Sequence, residues 1–293
     1  MIHSFHVKRL IINADDFGIT PGVNRAIVEL NSVRALSSTT LMATARNFAE
    51  AARESTQLRS LGTGCHVTFV DGNPLLDADS IKNLAKGPGG QFRVTLGQFV
   101  RDLLLGAIPE PEIEAEATGQ IKRLQAAGVT VTHVDTHKHT HLFPGVYRPL
   151  LRAARACGVA AIRNPFEPDW SLRATRGASA VRRMQVQMLR KMRAAFLQAV
   201  SEAGLSTTDG AIGVLATGTL DDETLRAFLR AMPDGDWELC CHPGYVDAAL
   251  DVVRTRLRQS REIERKALLD VVPGAAGFSL IHFGHLAMSE ATV

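Results

Sequence analysis

Along this chain, stretches of continuous apolar residues alternate with stretches in which apolar positions recur every three or four residues. Lys8–Ala14 (KRLIINA) is an unbroken apolar run, as expected of a strand covered on both faces. Thr20-Pro21 then opens a helix, with Thr as the N-cap and Pro at the first helical position. Ser37–Thr44 is β-branched and predicts a second strand, followed by an alanine-rich helix from Asn47. Leu61–Val70, Val129–Asp135, Val159–Arg163, Ala211–Ala216, Trp237–Cys241 and Phe278–Phe283 complete a set of about eight strands, most of them followed by a helix. That alternation predicts a parallel sheet, and eight units in one chain predict an irregular, TIM-like (β/α) barrel rather than an open sheet. A dinucleotide-binding sheet would follow its first strand with a glycine-rich turn. Here that turn is Asp15-Asp16-Phe17-Gly18, which would repel a pyrophosphate.

The pattern predicts one domain over 1–293 with two departures from regular alternation. Asp71–Pro111 is long and rich in Gly and Pro, and is expected to be an insertion over one face. Arg152–Arg193 carries ten Arg or Lys against two acids and leads into a basic helical segment at about 172–203. Val181, Met184, Met188, Met192 and Ala195 fall there at helical spacing, and are expected to pack on the barrel. A sharper reading of the same basic helix is peripheral contact with an anionic membrane surface.

Composition narrows the function classes. A net charge of +3 and 5% aromatic residues give no footprint for nucleic acid. No apolar run approaches the length of a membrane span, and Met1–Asp16 lacks the pattern of a signal peptide, so the expected location is cytoplasmic. Cys65, Cys157, Cys240 and Cys241 fit neither a zinc knuckle nor a disulfide framework, and are expected to be reduced thiols.

Chemistry gathers where such a barrel keeps its active site, at the C-terminal ends of the strands. Those ends read Asp15-Asp16, His66, Asp135 with His137, Arg163 and His242. Two adjacent carboxylates repel each other unless a cation or hydrogen bonds compensate them. A metal resolves this if one aspartate ligates it and the other stays free as a base. In HVDTHKHTH (133–141), histidines alternate with other residues at a strand end, so a period of two would aim several to one side, with Asp135 and His139 in supporting positions. His242 precedes Pro243-Gly244, a turn that fixes it at the rim, where a histidine suits proton donation to a leaving group. Arg163 either meets a sugar hydroxyl or carbonyl or serves a structural salt bridge.

NADDFG, GCHVT, HVDTHKHTHLFP and CHPGY, together with the helical Arg254–Leu269, resemble the YdjC-like carbohydrate deacetylase family over nearly the whole chain. The resemblance implies a barrel related to polysaccharide deacetylases and a hydrolase that removes acetyl from an N-acetylated sugar, with one divalent metal ion. Carried over by position, Asp16, His66 and His137 would hold the metal, Asp15 would be the general base and His242 the general acid. The family's usual metal is magnesium (Mg2+), whereas two imidazoles and one carboxylate suit zinc (Zn2+) or manganese (Mn2+). His282 and His285, near the last strand, compete with His242 for the acid role. The implied substrate is an N-acetylglucosamine oligosaccharide or a glycolipid such as a hopanoid glycoside, and a homodimer is compatible with this size. Two other readings stay open: a metal-dependent phosphoesterase or sugar isomerase, and a non-catalytic sugar- or metal-binding protein.

Overall fold

The computed structural model describes residues 7–286. Its centre is a curled, all-parallel half-barrel sheet in the order β4-β3-β2-β1-β6-β5. These strands are β1 (Lys8–Phe17), β2 (Ser38–Leu41), β3 (Gly62–Val67), β4 (Val131–Thr136), β5 (Gly210–Ile212) and β6 (Gly235–Cys241). A two-residue β7 (Ser279–Leu280) pairs with the start of β1. The predicted fifth strand, Val159–Arg163, is reduced to single parallel bridges, Val134 to Ile162 and Ala161 to Ser206. Pro165 and Pro168 follow it closely and cannot donate to a ladder, so the pairing stops there.

Helices flank the strands as the pattern predicts: α1 (Pro21–Ser32), α2 (Phe48–Gln57), α3 (Leu96–Leu104), α4 (Glu110–Ala126), α5 (Pro144–Ala156), α6 (Asp169–Ala174), α7 (Ala180–Leu189), α8 (Arg193–Glu202), α9 (Asp222–Ala231) and α10 (Gln259–Val271). Thr20 caps α1 through its side chain, with Pro21 in the first turn. Between β3 and α4 the chain is mostly irregular, carrying α3 and a short 3-10 turn. The four cysteines are free thiols.

Strand alternation sorts the side chains into two populations. On β1, Leu10, Ile12 and Ala14 join the large core under the helices, whereas Ile11 packs with Ala161, Phe283 and Leu286 in a separate small cluster. Asn13 and Asp15 share the face of Ile11, so the interior passes from apolar to polar towards the strand ends. Glu238 and His242 follow the same rule on and just after β6, where Trp237, Leu239 and Cys241 join the core.

The basic segment differs from its expected packing. Val181, Met184 and Met188 of α7 are exposed, each by more than half, and only Met192 of the stripe's sulfur-bearing residues packs against the core. The arginines take the inward side instead. Arg182 donates to the carbonyls of Val214 and Thr217, Arg183 to those of Leu172 and Thr175, and Arg190 pairs with Asp169. Carbonyls left over by the neighbouring turns hold the arginines down, and this rotates the methionines outward. Among the described residues, no helix is long and apolar enough to cross a membrane.

Candidate active site

Consecutive strand residues face opposite ways, so Asp15 and Asp16 would normally be separated by the sheet. The register of β1 against β2 shifts between Ala14 and Phe17, and Asp16 adopts a left-handed backbone with φ 67°. This bulge brings both carboxylates to the same end of the barrel. Aspartate tolerates that conformation better than most residues. Asp71, Lys138 and His139, after β3 and β4, are also non-glycine residues with positive φ. Backbone strain therefore concentrates at this mouth, as it commonly does at functional sites.

Asp16, His66 and His137 converge. His66 Nδ1 lies 2.7 Å from Asp135 Oδ1, which fixes that side of the ring and turns Nε2 towards Asp16 and His137. Nε2 is 3.7 Å from Asp16 Oδ1 and 3.4 Å from His137 Nδ1, while His137 Nδ1 is 3.5 Å from Asp16 Oδ1. One donor atom from each residue lies within 4.8 Å of the others. Asp16 Oδ1 is buried with no hydrogen-bond partner. A buried carboxylate oxygen without a partner is costly, and a cation shared with two imidazoles would relieve it. The donor set thus fits a divalent metal. Asp16's other oxygen accepts from Arg261 Nη2 at 2.5 Å.

A second group, Asp15 with His66 and Asp135, is equally compact, but Arg163 already fills it. The Arg163 guanidinium is wholly buried. It donates to Asp15 Oδ1 at 2.6 Å and Oδ2 at 2.9 Å, to Glu238 at 2.7 Å, and contacts Asp135. Of the two expectations for Arg163, the structure shows the salt bridges, and it leaves no part of the side chain exposed to a sugar. Asn13 and Thr40 also donate to Asp15. Burial pushes the Asp15 carboxyl up, but Arg163 and the neighbouring histidines outweigh it and hold it well below the usual range. Burial, with Asp15 and Asp135 close by, raises Glu238 to about 7 against the opposing pull of Arg163.

His242 follows β6 and lies between two carboxylates. Its Nε2 is 3.7 Å from Asp15 Oδ2 and its Nδ1 is 3.9 Å from Glu264 Oε2. Glu264, buried on α10, accepts the backbone N–H of His242 at 2.5 Å and that of Gly218 at 3.2 Å. One turn earlier on the same helix face sits Arg261, so α10 reaches Asp16 and His242 together.

The histidine tract behaves differently from the period of two expected of it. The strand ends at Thr136, and Lys138 and His139 turn left-handed inside a 3-10 segment, His137–Leu142. Only His137 reaches the carboxylate cluster. His133 points down the barrel and stacks on Phe283, with ring centroids 3.8 Å apart, and His141 bonds Thr136. His139 bonds none of the three cluster residues, and its Nδ1 is buried without a partner. Burial, with Arg163 adding to it, depresses its imidazole to about 3.

Sequence reasoning missed Glu238, Arg261 and Glu264. Glu238 leaves a trace, as an acid inside an otherwise apolar strand. Arg261 and Glu264 sit in SREIERK, which reads like any solvated helix.

A parallel α/β half-barrel with carboxylates and imidazoles gathered at its strand ends defines a class of barrel proteins whose chemistry is carried by strand-end side chains. Residues 9–273 match the family model described as YdjC-like protein, and the chain belongs to that family. A protein named carbohydrate deacetylase from Thermoanaerobacter pseudethanolicus is 29% identical over 90% of this chain and 92% of its own length. Another of that name, from Brevibacillus brevis, is 31% identical over 83% of this chain and 84% of its own. A chitooligosaccharide deacetylase of Escherichia fergusonii is 27% identical over 82% of this chain and 83% of its own. In structure, the chain is similar to a putative cellobiose-phosphate cleavage protein from Enterococcus faecalis V583, with a TM-score of 0.76 and 23% identity, covering 96% of this chain and 99% of that one.

Proposed function

We propose that this chain is a metal-dependent hydrolase that removes acetyl from N-acetylated sugars. The observation that carries the proposal is the adjacency of two unlike groups. Asp16, His66 and His137 leave donor atoms facing one another, and the ionised Asp15 lies alongside with His242 against its second oxygen. The family's deacetylase relatives supply the substrate class.

Asp16, His66 and His137 would hold a divalent ion, which supplies Lewis acidity towards an amide carbonyl and towards water. Asp15 is ionised at any working pH, because Arg163 holds it so, and it accepts the proton of the attacking water. His242 gives a proton to the departing sugar amine, and Glu264 behind it anchors the residue by accepting its backbone N–H. Burial of Asp15, Asp16 and His66, with His137 half-buried at the rim, limits bulk water and strengthens these interactions. Because Arg261 takes one oxygen of Asp16, the group of Asp16, His66 and His137 offers one carboxylate oxygen beside two imidazoles. This favours zinc or manganese over magnesium, which prefers oxygen ligands and retained waters.

The exposed Val181, Met184 and Met188 favour a lipid-linked substrate as a second reading. On that reading the methionines make the contact, since the arginines of α7 are engaged within the protein. Met184→Ser with Met188→Ser should then release the protein from anionic vesicles, and unchanged retention would remove the reading.

Separate roles for the two aspartates give the test. Asp16→Ala should lose bound metal and turnover of an N-acetylglucosamine oligosaccharide together. Asp15→Asn should keep the metal and lose turnover by at least a thousandfold. Equal metal loss in both variants would overturn the assignment.

A further inference from the structure

His282 and His285, candidates for the general acid on sequence grounds, lie at the opposite end of the barrel from Asp15. β7 pairs with Arg9 and Leu10 at the start of β1, and the His282 ring rests over Gly62, the first residue of β3. Neither histidine can serve the reaction from there. They line a separate cavity of about 610 Å3, within the size range of small-molecule sites.

The lining has a consistent chemistry. Its charged members are Arg34 and Arg59, and no acidic side chain is among the described residues that form it. Among those residues, neither guanidinium has a carboxylate partner. Leu36, Phe278 and Leu280 contribute apolar surface. The two imidazoles are locked by the backbone: His282 Nδ1 accepts from Gly284 N–H at 3.1 Å, and His285 Nδ1 accepts from His282 N–H at 3.2 Å. An imidazole whose Nδ1 accepts carries its proton on Nε2, so each ring keeps one donor and no acceptor. Burial, with His285 beside it, depresses His282 to about 4, and it stays neutral at ordinary pH.

The wall is built around these groups. A Cβ on Gly62 would fall 2.6 Å from His282 Cβ, and one on Gly284 would fall 2.9 Å from His282 Cε1. Glycine at both positions gives the ring its space. Arg34 holds a left-handed backbone with φ 58°, and among the described residues it is the one non-glycine with positive φ away from the catalytic mouth.

We propose that this cavity binds a small organic anion, with a phosphate or carboxylate head on Arg34 and Arg59 and an apolar body against Leu36, Phe278 and Leu280. Guanidinium forks suit both heads, and the donor-only histidines disfavour a cation.

Calorimetric titration of metal-stripped protein with phenyl phosphate, benzoate and inorganic phosphate tests this without interference from the metal cluster. Saturable binding of phenyl phosphate or benzoate is expected, weakened at least tenfold in Arg34→Gln/Arg59→Gln, with the far-ultraviolet spectrum and deacetylation of the metal-loaded variant unchanged. Whichever probe binds more tightly identifies the head. Absence of saturable binding by both organic probes, or undiminished binding in the double variant, would overturn the site. Inorganic phosphate binding as tightly as phenyl phosphate would overturn the apolar half of the proposal.

Discussion

Arg163 is the residue on which the most charge depends, because three buried carboxylates share its guanidinium. Replacing it with Met should strand those carboxylates and cost on the order of 3–5 kcal/mol, measured by denaturant unfolding. A cost below about 1 kcal/mol would mean that the carboxylates take up protons instead. Glu264→Gln keeps an acceptor for the His242 backbone N–H but removes the charge behind the ring. Turnover should fall roughly 10- to 100-fold with metal content unchanged, the usual scale for a group supporting a functional histidine. Unchanged turnover would show that His242 needs no carboxylate behind it. At this scale the sequence was informative where chemistry follows directly on an apolar run, as at Asp15, Asp16, His66 and His242. It was uninformative for Arg261 and Glu264, whose partners lie more than twenty residues away and which share a helix with ordinary surface charges.

Among the elements, β1 shows how a local irregularity makes a site. An ideal strand would have sent Asp15 and Asp16 to opposite faces, and the bulge at Asp16 reunites them. The sequence displays the two carboxylates but not the bulge, which arises from pairing with β2. The histidine tract fails as a strand for the converse reason: its alternation looks extended, yet the chain turns at Lys138 and His139 once the ladder ends. Close packing between β3 and β4 gives a sharper test. A Cβ on Gly64 would lie 2.4 Å from the His133 ring. Gly64→Ala should therefore destabilise by about 1–3 kcal/mol, the scale of overpacking a core. Gly97, on α3, has open space around its Cα, and Gly97→Ala should stabilise by up to about 1 kcal/mol. Equal effects of the two substitutions, read from unfolding midpoints, would contradict the packing described for β3.

For the whole molecule, buried titratable groups give stability a defined pH dependence. Glu238 has its folded pKa raised to about 7 from 4.5, so its contribution is present at low pH and is lost as pH rises through 7. His139 is depressed to about 3 from 6.5, so its contribution is full above 6.5 and declines as pH falls towards 3. Glu238→Gln should abolish the part of the stability loss that wild type shows between pH 4.5 and 7, followed by urea unfolding of metal-free protein. An unchanged slope would place the titration elsewhere. The parallel architecture was legible because strands covered on both faces write themselves as continuous apolar runs. The reduced fifth strand and the outward-turned α7 were not, since proline stops the one and backbone carbonyls from neighbouring turns capture the arginines of the other.

Metal-dependent deacetylation predicts acetate release from an N-acetylglucosamine oligosaccharide. Protein stripped with EDTA would be compared with protein restored with zinc, manganese or magnesium. Acetate and a free amine should appear in equal amounts only after restoration, with zinc or manganese more effective than magnesium. Acetate release at full rate from metal-free protein, or none from protein with metal demonstrably bound, would rule out metal-dependent deacetylation.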